Sequence, residues 1–441
     1  MHACRSLFAV IIALLLYFQG NAQEGFPING VHETKAYIHL KNFYLYTPEG
    51  FIEDAEMLIY DHTIKAIGKK VKAPENTVVH DLEGQYVYPS FIKLYADHGI
   101  EKKTLKKKNS YPQYKSLKPG PFHWNQAIQP ERSALDFFNP DTFKAKASVD
   151  KGIGASLIHY TDGIIRGTSF LYLPSHESTH ENTVAPEVGM HFSLSKGSSK
   201  QTYPSAQMGV LALLKQTFMD AAWYAEAQTP STNLSLEKLN AAQGKPFLFT
   251  VSDHLEVERV LKLGEAQNFD PIIYTGGDDY KNLKLLQHYH PKLIVPLKCP
   301  EPYDVSDPYA SKWVKLSELK DWELAPSNAY FLEQKGIPFA FDIKGLKNWK
   351  ELHRAILKVY ERGLSEKSIV QALSKTPAEW LGLSSRIGML EPGQVANFIV
   401  LDQPIIQKNT TLIQNWVNGH KNEVQSSEKN DVRGRFTLNI D

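Results

Sequence analysis

Cysteine is nearly absent from this chain: Cys4 and Cys299 are the only two in 441 residues. Cys4 falls in a segment read below as a removable leader, so no intrachain disulfide is expected and packing alone must hold the core. An excess of either charge is missing as well. The 49 basic and 48 acidic residues leave +1 with neutral histidines, which argues against nucleic acid or an anionic membrane as the main partner. After the first few residues no apolar run approaches the roughly 20 residues that a spanning helix needs. Three nucleotide and hydrolase signatures are also lacking: a Gly-rich dinucleotide fingerprint, a Gly-Lys-Ser/Thr phosphate loop and a Gly-x-Ser-x-Gly elbow. Dehydrogenase, P-loop and serine-hydrolase chemistry therefore have no support.

What is present begins with Arg5, an apolar run from Leu7 to Phe18 and the small, polar "QGNA" that ends at Ala22. This is the layout of a secretory signal peptide over residues 1–22, and it predicts an exported protein, periplasmic or secreted. Gln23 stands where a lipoprotein would need cysteine, so no membrane anchor is expected. With 42% hydrophobic and 11% aromatic content, the remaining length suits one large domain plus a smaller one.

Short apolar runs such as "AYIHLKNFYLY" and "AEMLIYDHTIKAIG", punctuated by Pro48, Gly50, Gly68, Pro74 and Gly84, read as antiparallel strands. The same texture returns in "RIGMLEPGQVANFIVLD" and "TLIQNWVNGHKNEV". The two ends therefore predict one small β-sandwich, with parts at 23–88 and 386–441. Between them strands and helices alternate. "GASLIHYT", "FLFTV", "PIIYTGG", "KLIVPL" and "IPFAFD" read as strands, and Asp253 caps a helix with Val257, Val260, Leu261 and Gly264 at helical spacing. This α/β repetition over 89–385 predicts a closed (β/α)8 TIM barrel, with a β-hairpin insertion near 164–204.

Two segments carry a resemblance. "DLEGQYVYPSFIKL" and "TPAEWLGLSSRIGMLEPGQVANFIVLD" are similar to the passages by which members of the amidohydrolase superfamily enter and leave their barrel. "WNQAIQPE", "DGIIRGTS", "WELAPSN" and "GLKNW" resemble the first unit of exported tandem proteins of the imidazolonepropionase-like group, and "VRGRFTLNID" falls about where their second unit begins. The resemblance implies hydrolysis of non-peptide carbon–nitrogen bonds by water bound to one or two zinc ions. It also implies ligands that this chain lacks. The His-x-His of the first strand falls on Tyr95 and Asp97, the later histidines fall near Thr250 and Thr275, and the last aspartate falls on Lys344. Asp342 replaces that aspartate only if the register slips by two residues, which keeps the same face. No metal ligand set, and so no cofactor, is assigned.

Other apparent ligand motifs have plainer readings. "HESTH" (176–180) matches a zinc-protease pattern, but it follows Pro174-Ser175 and has no apolar stripe, so it reads as a solvated loop. His288 and His290 lie between a helix and a strand, on the non-catalytic end of a barrel. The lysine run after Glu101 reads as a solvated loop. Tyr95, Asp97, His98, His159, Asp162, Arg166, Asp253, Asp278, Asp279 and Asp342 all fall at or beyond strand ends. From these, Asp97, His98 and Asp342 are the candidate acid–base groups, and Tyr95, His159 and Arg166 the candidate substrate contacts.

Three functional expectations result. The first is a non-catalytic unit that acts with a metal-competent amidohydrolase on a separate chain. The second is a hydrolase of amides or cyclic imides with a non-standard site. The third is a binding protein for an unnamed small molecule.

Overall fold

The computed structural model describes residues 36–101, 112–175, 179–226, 231–304, 306–307 and 309–425. The expected leader, the lysine run, His176 to Ser178 of the "HESTH" stretch and the "VRGRFTLNID" segment lie outside them. No helix among the described residues is long and apolar enough to cross a membrane.

Four strands come first: β1 (Ile38–Thr47), β2 (Gly50–Tyr60), β3 (Thr63–Gly68) and β4 (Val78–Pro89). Asp61 and His62 take φ of 50° and 66° between β2 and β3, a left-handed pair of the kind that a two-residue hairpin turn requires. The barrel wall follows. It contains β5 (Phe91–Ala96), β6 (Ile153–Ile158), β7 (Ile165–Thr168), β8 (Phe170–Tyr172), β9 (Thr183–Ala185), β10 (Met190–Ser193), β11 (Phe247–Thr250), β12 (Pro271–Tyr274), β13 (Lys292–Pro296) and β14 (Phe339–Asp342). The chain then returns to the first sheet with β15 (Phe398–Leu401), β16 (Leu412–Val417) and β17 (His420–Glu423).

The terminal strands form one seven-stranded sheet in the order β17-β16-β15-β4-β1-β2-β3. It rolls on itself, because the β3 edge bonds to the segment entering β15. Ile64 N–H donates to Gln394 O at 2.9 Å, and Ala396 N–H donates to His62 O at 2.7 Å. Leu40, Phe43, Met57, Val87, Phe398 and Trp416 fill the roll. The small β unit expected from both chain ends is thus a single curled sheet.

The barrel has seven parallel strands and one reversed stave. β5 and β6 are parallel, as are β10 through β14 in sequence, and β14 comes alongside β5. Residues 165–172 fill the third position running the other way: β7 pairs antiparallel with β10, and β8 pairs antiparallel with β6. Much of the stretch read as a hairpin excursion is therefore wall, with β8 and β9 as its hairpin.

Strands in such a wall are buried on both faces, so alternation sorts two apolar sets rather than apolar from polar. Phe247, Phe249, Ile273, Val295 and Phe341 pack with helix residues Val257, Leu261, Leu352 and Ile356. Ile92, Leu94, Leu248, Ile272, Ile294 and Ala340 pack with one another inside the barrel. The helix Trp349–Glu361 shows why the outer layer forms. Asn348 caps it by accepting from Glu351 N–H, and Leu352, Ile356 and Val359 make one buried stripe.

Barrel and rolled sheet are joined by a buried polar clasp. Asn415 Nδ2 donates to Val149 O at 2.9 Å and to Ile153 O at 3.1 Å, and its Oδ1 accepts from Ser90 Oγ at 2.8 Å. Asn397 Nδ2 reaches Gly154 O at 3.2 Å. A Cβ on Gly154 would meet Ser90 Cβ at 2.5 Å, so the joint needs glycine there. Asn415→Leu keeps the volume but strands three buried polar groups, and should cost roughly 2–4 kcal/mol in urea unfolding. An unchanged midpoint would show that the clasp contributes nothing net.

Candidate functional site

The geometry of the mouth begins with a bulge in β5. Lys93 faces Ser156 and Ala96 faces Ile158, so three steps on β5 match two on β6. Such an extra residue re-aims the side chains beyond it. Ile92 points into the barrel before the bulge, and Leu94 and Tyr95, the two residues within it, both join the interior. The Leu94 carbonyl accepts a hydrogen bond from the Tyr274 hydroxyl, which reaches across from the sixth stave. Tyr95 sits edge-on to His159 (4.7 Å, 88°) and to Tyr274 (5.4 Å, 85°).

His159, the residue after β6, has no exposure. Its Nδ1–H donates to Tyr160 O at 2.8 Å, which leaves Nε2 without a partner. The ring stacks on His191 of β10 at 3.8 Å and 10°. Neither nitrogen of His191 has a partner among the described residues. Burial pushes the His159 pKa down to about 3 and holds His191 well below the ordinary value. Both rings are neutral at physiological pH.

The reversed stave delivers Arg166, 6% exposed. Its Nε donates to Gly163 O at 3.1 Å and its Nη1 to Thr250 Oγ1 at 3.2 Å, and the Tyr95 hydroxyl is a further partner. On the eighth stave, burial raises Asp342 to about 6. Asp342 Oδ1 accepts from the Lys344 N–H at 3.0 Å. The Lys344 ammonium lies 3.8 Å from the centre of the Tyr95 ring, a cation–π distance. Lys93 is close enough to Asp342 and Asp97 for both carboxylates to act on its charge.

The structure thus brings together Tyr95, His159, Arg166 and Asp342, and adds Thr250 and Lys344. Asp97, one residue beyond β5, acts electrostatically on His159 and on His98. His98 is held apart: its other charged neighbours are Lys93 and, from the outer helix at 142–149, Lys144 and the capping Asp141. Burial lowers it to about 4. The remaining carboxylates are engaged elsewhere. Asp253 caps a helix through the N–H groups of Leu255 and Glu256, both at 2.9 Å. Asp278 meets His254 at 2.6 Å. Asp279, buried and raised to about 6, accepts from Thr275 and Asn328 at 2.8 Å each. Asp162 accepts from Ser198 N–H at 2.7 Å. Sequence reading missed His191 and Tyr274. The alternation in "GMHFSLS" marks a strand whose inward residue is His191, whereas nothing local marks Tyr274 as a cross-barrel strut.

These residues do not fit a zinc ion. An ammonium and a guanidinium flank the only ring that faces inward from the end of β5, and both repel a dication. Among the described residues no group of three or more His, Cys, Asp or Glu side chains is placed to hold a metal.

A barrel joined to a β unit built from both ends is also the fold of solved amidohydrolases. The sequence model of the amidohydrolase family matches residues 339–430. No curated protein matches by sequence. An amidohydrolase from Thermotoga maritima MSB8 is 20% identical, with a TM-score of 0.69 over 87% of this chain and 99% of that one. A β-aspartyl dipeptidase from Fervidobacterium islandicum AW-1 is 13% identical, with a TM-score of 0.51 over 92% of this chain and 100% of the other. A prolidase complexed with N-methylphosphonate-L-proline gives 10% and 0.51 over 88% and 100%. At these identities the structures share the fold.

Two predictions follow from the buried imidazoles. Replacing an unpartnered polar ring with an apolar side chain removes a desolvation cost, so His191→Leu should raise stability by about 1–2 kcal/mol in thermal or urea unfolding. A loss instead would mean that the ring nitrogens are satisfied. The pH dependence has a definite sign. His98, His159 and His191 have folded pKa values below the ordinary 6.5. The unfolded chain therefore takes up protons first, and stability present above that pH is lost as pH falls, by about 1.4 kcal/mol per unit and histidine. Burial also lowers His80, His123 and His353, while Asp342 and Asp279, raised to about 6, and Glu366, also raised, offset only part of the histidine contribution. The protein should weaken from pH 6.5 to 5, and His191→Leu should flatten the decline; equal slopes in the two proteins would refute this.

Proposed function

We propose that this chain is an exported protein that uses the amidohydrolase-type barrel without metal-dependent hydrolysis and acts by binding. The observation that supports this reading is the Lys344 ammonium 3.8 Å over Tyr95. It lies where the resemblance would put the last aspartate and the first histidine of a metal centre. Tyr274, bonded to the Leu94 carbonyl across the barrel, adds aromatic bulk beside Tyr95 at the same mouth. On this reading Tyr95, Asp97, Thr250, Thr275 and Lys344 replace the family's ligands, and any hydrolysis in the same process belongs to a metal-competent amidohydrolase on another chain.

One observation favours the second reading, hydrolysis with a non-standard site. Asp342, raised to about 6, has the poise of an acid–base group near neutral pH. It weighs less, because His98 does not converge on it and Arg166 and Lys344 crowd the same mouth.

Elemental mass spectrometry of the purified chain, after exposure to zinc and desalting, tests the proposal together with turnover of β-aspartyl and Xaa-Pro dipeptides. Far less than one zinc per chain and no turnover are expected. Stoichiometric zinc, or turnover abolished by Asp342→Asn, would return the chain to the hydrolases.

A further inference from the structure

We infer that a cleft beside the mouth binds a small oxyanion carried on an apolar body, with Arg132 as its anchor. This deepens the binding role proposed above and rests on it. The cleft, about 910 Å³, lies between the loops that follow β5, β6 and β10. Leu117, Lys118, Arg132, Phe137, Tyr160 and Lys196 are among the residues that line it. The volume suits a small ligand.

Charge in the cleft is unbalanced. The lining carries Lys118, Arg132, Lys196 and Lys200 against the carboxylates of Glu101 and Asp162; Lys118 is paired with Glu131 outside that set, which leaves the cleft with a positive excess. Arg132 and Lys196, by contrast, have neutral partners. Arg132 Nη1 donates to Gln129 Oε1 at 3.2 Å, and Lys196 Nζ donates to Gln201 O at 2.7 Å. Two positive charges thus face one cleft with no ion pair to either among the described residues. A planar guanidinium with open donors matches the two oxygens of a carboxylate or of a phosphate.

The anchor is built in advance. The Arg132 guanidinium carbon lies 3.5 Å above the centre of the Tyr160 ring, which fixes its plane. Its backbone is bonded to the reversed stave: Thr168 N–H donates to Arg132 O at 2.9 Å, and Ala134 N–H donates to Thr168 O at 3.0 Å. A Cβ on Gly167 would come within 2.1 Å of Arg132 O, so only glycine permits this approach. Little ordering remains to be done when a ligand arrives.

Two further features describe the ligand. Leu117 and Phe137, 72% and 62% exposed at the rim, offer apolar surface for the body that carries the anion. Ser199 Oγ, also in the lining, is buried without a partner among the described residues, whereas the Tyr160 hydroxyl interacts with Arg132. An oxygen of a bound anion, or a water ordered by it, would satisfy Ser199. An aryl or acyl carboxylate, or the corresponding phosphate monoester, meets every requirement.

Calorimetric titration of the full chain with N-acetyl-L-phenylalanine, phenyl phosphate and N-acetyl-L-phenylalaninamide tests the inference without reference to metal or turnover. At least one anion should bind about tenfold or more tighter than the neutral amide, and more weakly as salt rises. The anion that binds identifies the source of the oxygens. Arg132→Gln should cut its affinity at least tenfold, Arg132→Lys less, and Lys196→Gln severalfold. Thermal melts would confirm that the variants are folded. If neither anion exceeds the amide, or if folded Arg132→Gln and Lys196→Gln bind as the wild type does, the inference fails. That failure would leave the metal-free reading standing.

Discussion

A barrel of short staves must fill its own interior, and that requirement governs this structure. The lower layers use Ile92, Leu94, Leu248, Ile272, Ile294 and Ala340. Higher up, at the mouth, bulk comes from Tyr95, Tyr274 and the stacked pair His159–His191. The wall adapts to that filling. The β5 bulge turns Tyr95 inward, and the carbonyl next to it receives the Tyr274 hydroxyl. One local irregularity thus sets both the aim of one aromatic and the anchor of another.

Desolvation then decides the electrostatics. The buried imidazoles stay neutral: desolvation outweighs the single carbonyl that His159 reaches, and a charge at either ring would face the Arg166 guanidinium. Asp342 feels the same burial in the opposite sense, and its lysine neighbours only partly offset it. The positive groups find softer compensation: an aromatic face for Lys344, and a hydroxyl, a carbonyl and a phenol for Arg166. The outcome is a mouth of mixed polarity with no convergent nucleophile.

Period and turn chemistry made much of the fold legible. Asp253 announced its helix, Leu352, Ile356 and Val359 another, and the strand-rich ends were visible as a pair. The reversed stave was not legible, because "IRGTSFLY" reads the same in either direction and only tertiary pairing orients it. Within the site, Tyr95, His159, Arg166 and Asp342 could be placed because strand ends can be placed. His98 could not be set apart from them, since its distance depends on a helix elsewhere in the chain. Arg132 left no trace in the sequence: its setting depends on Tyr160, beyond β6, and on Gly167, in β7.

The segment from Ala127 to Ala134 is a loop by connection but a strand by bonding. Gln129, Thr168 and Ala134 join it to β7 edge to edge, and two bridges run parallel along it. The cleft wall that carries Arg132 is therefore part of the rigid sheet and does not hinge like a flap. Small molecules would meet an open recess whose occupancy follows concentration directly, with arrival limited by diffusion and residence set by the contacts inside.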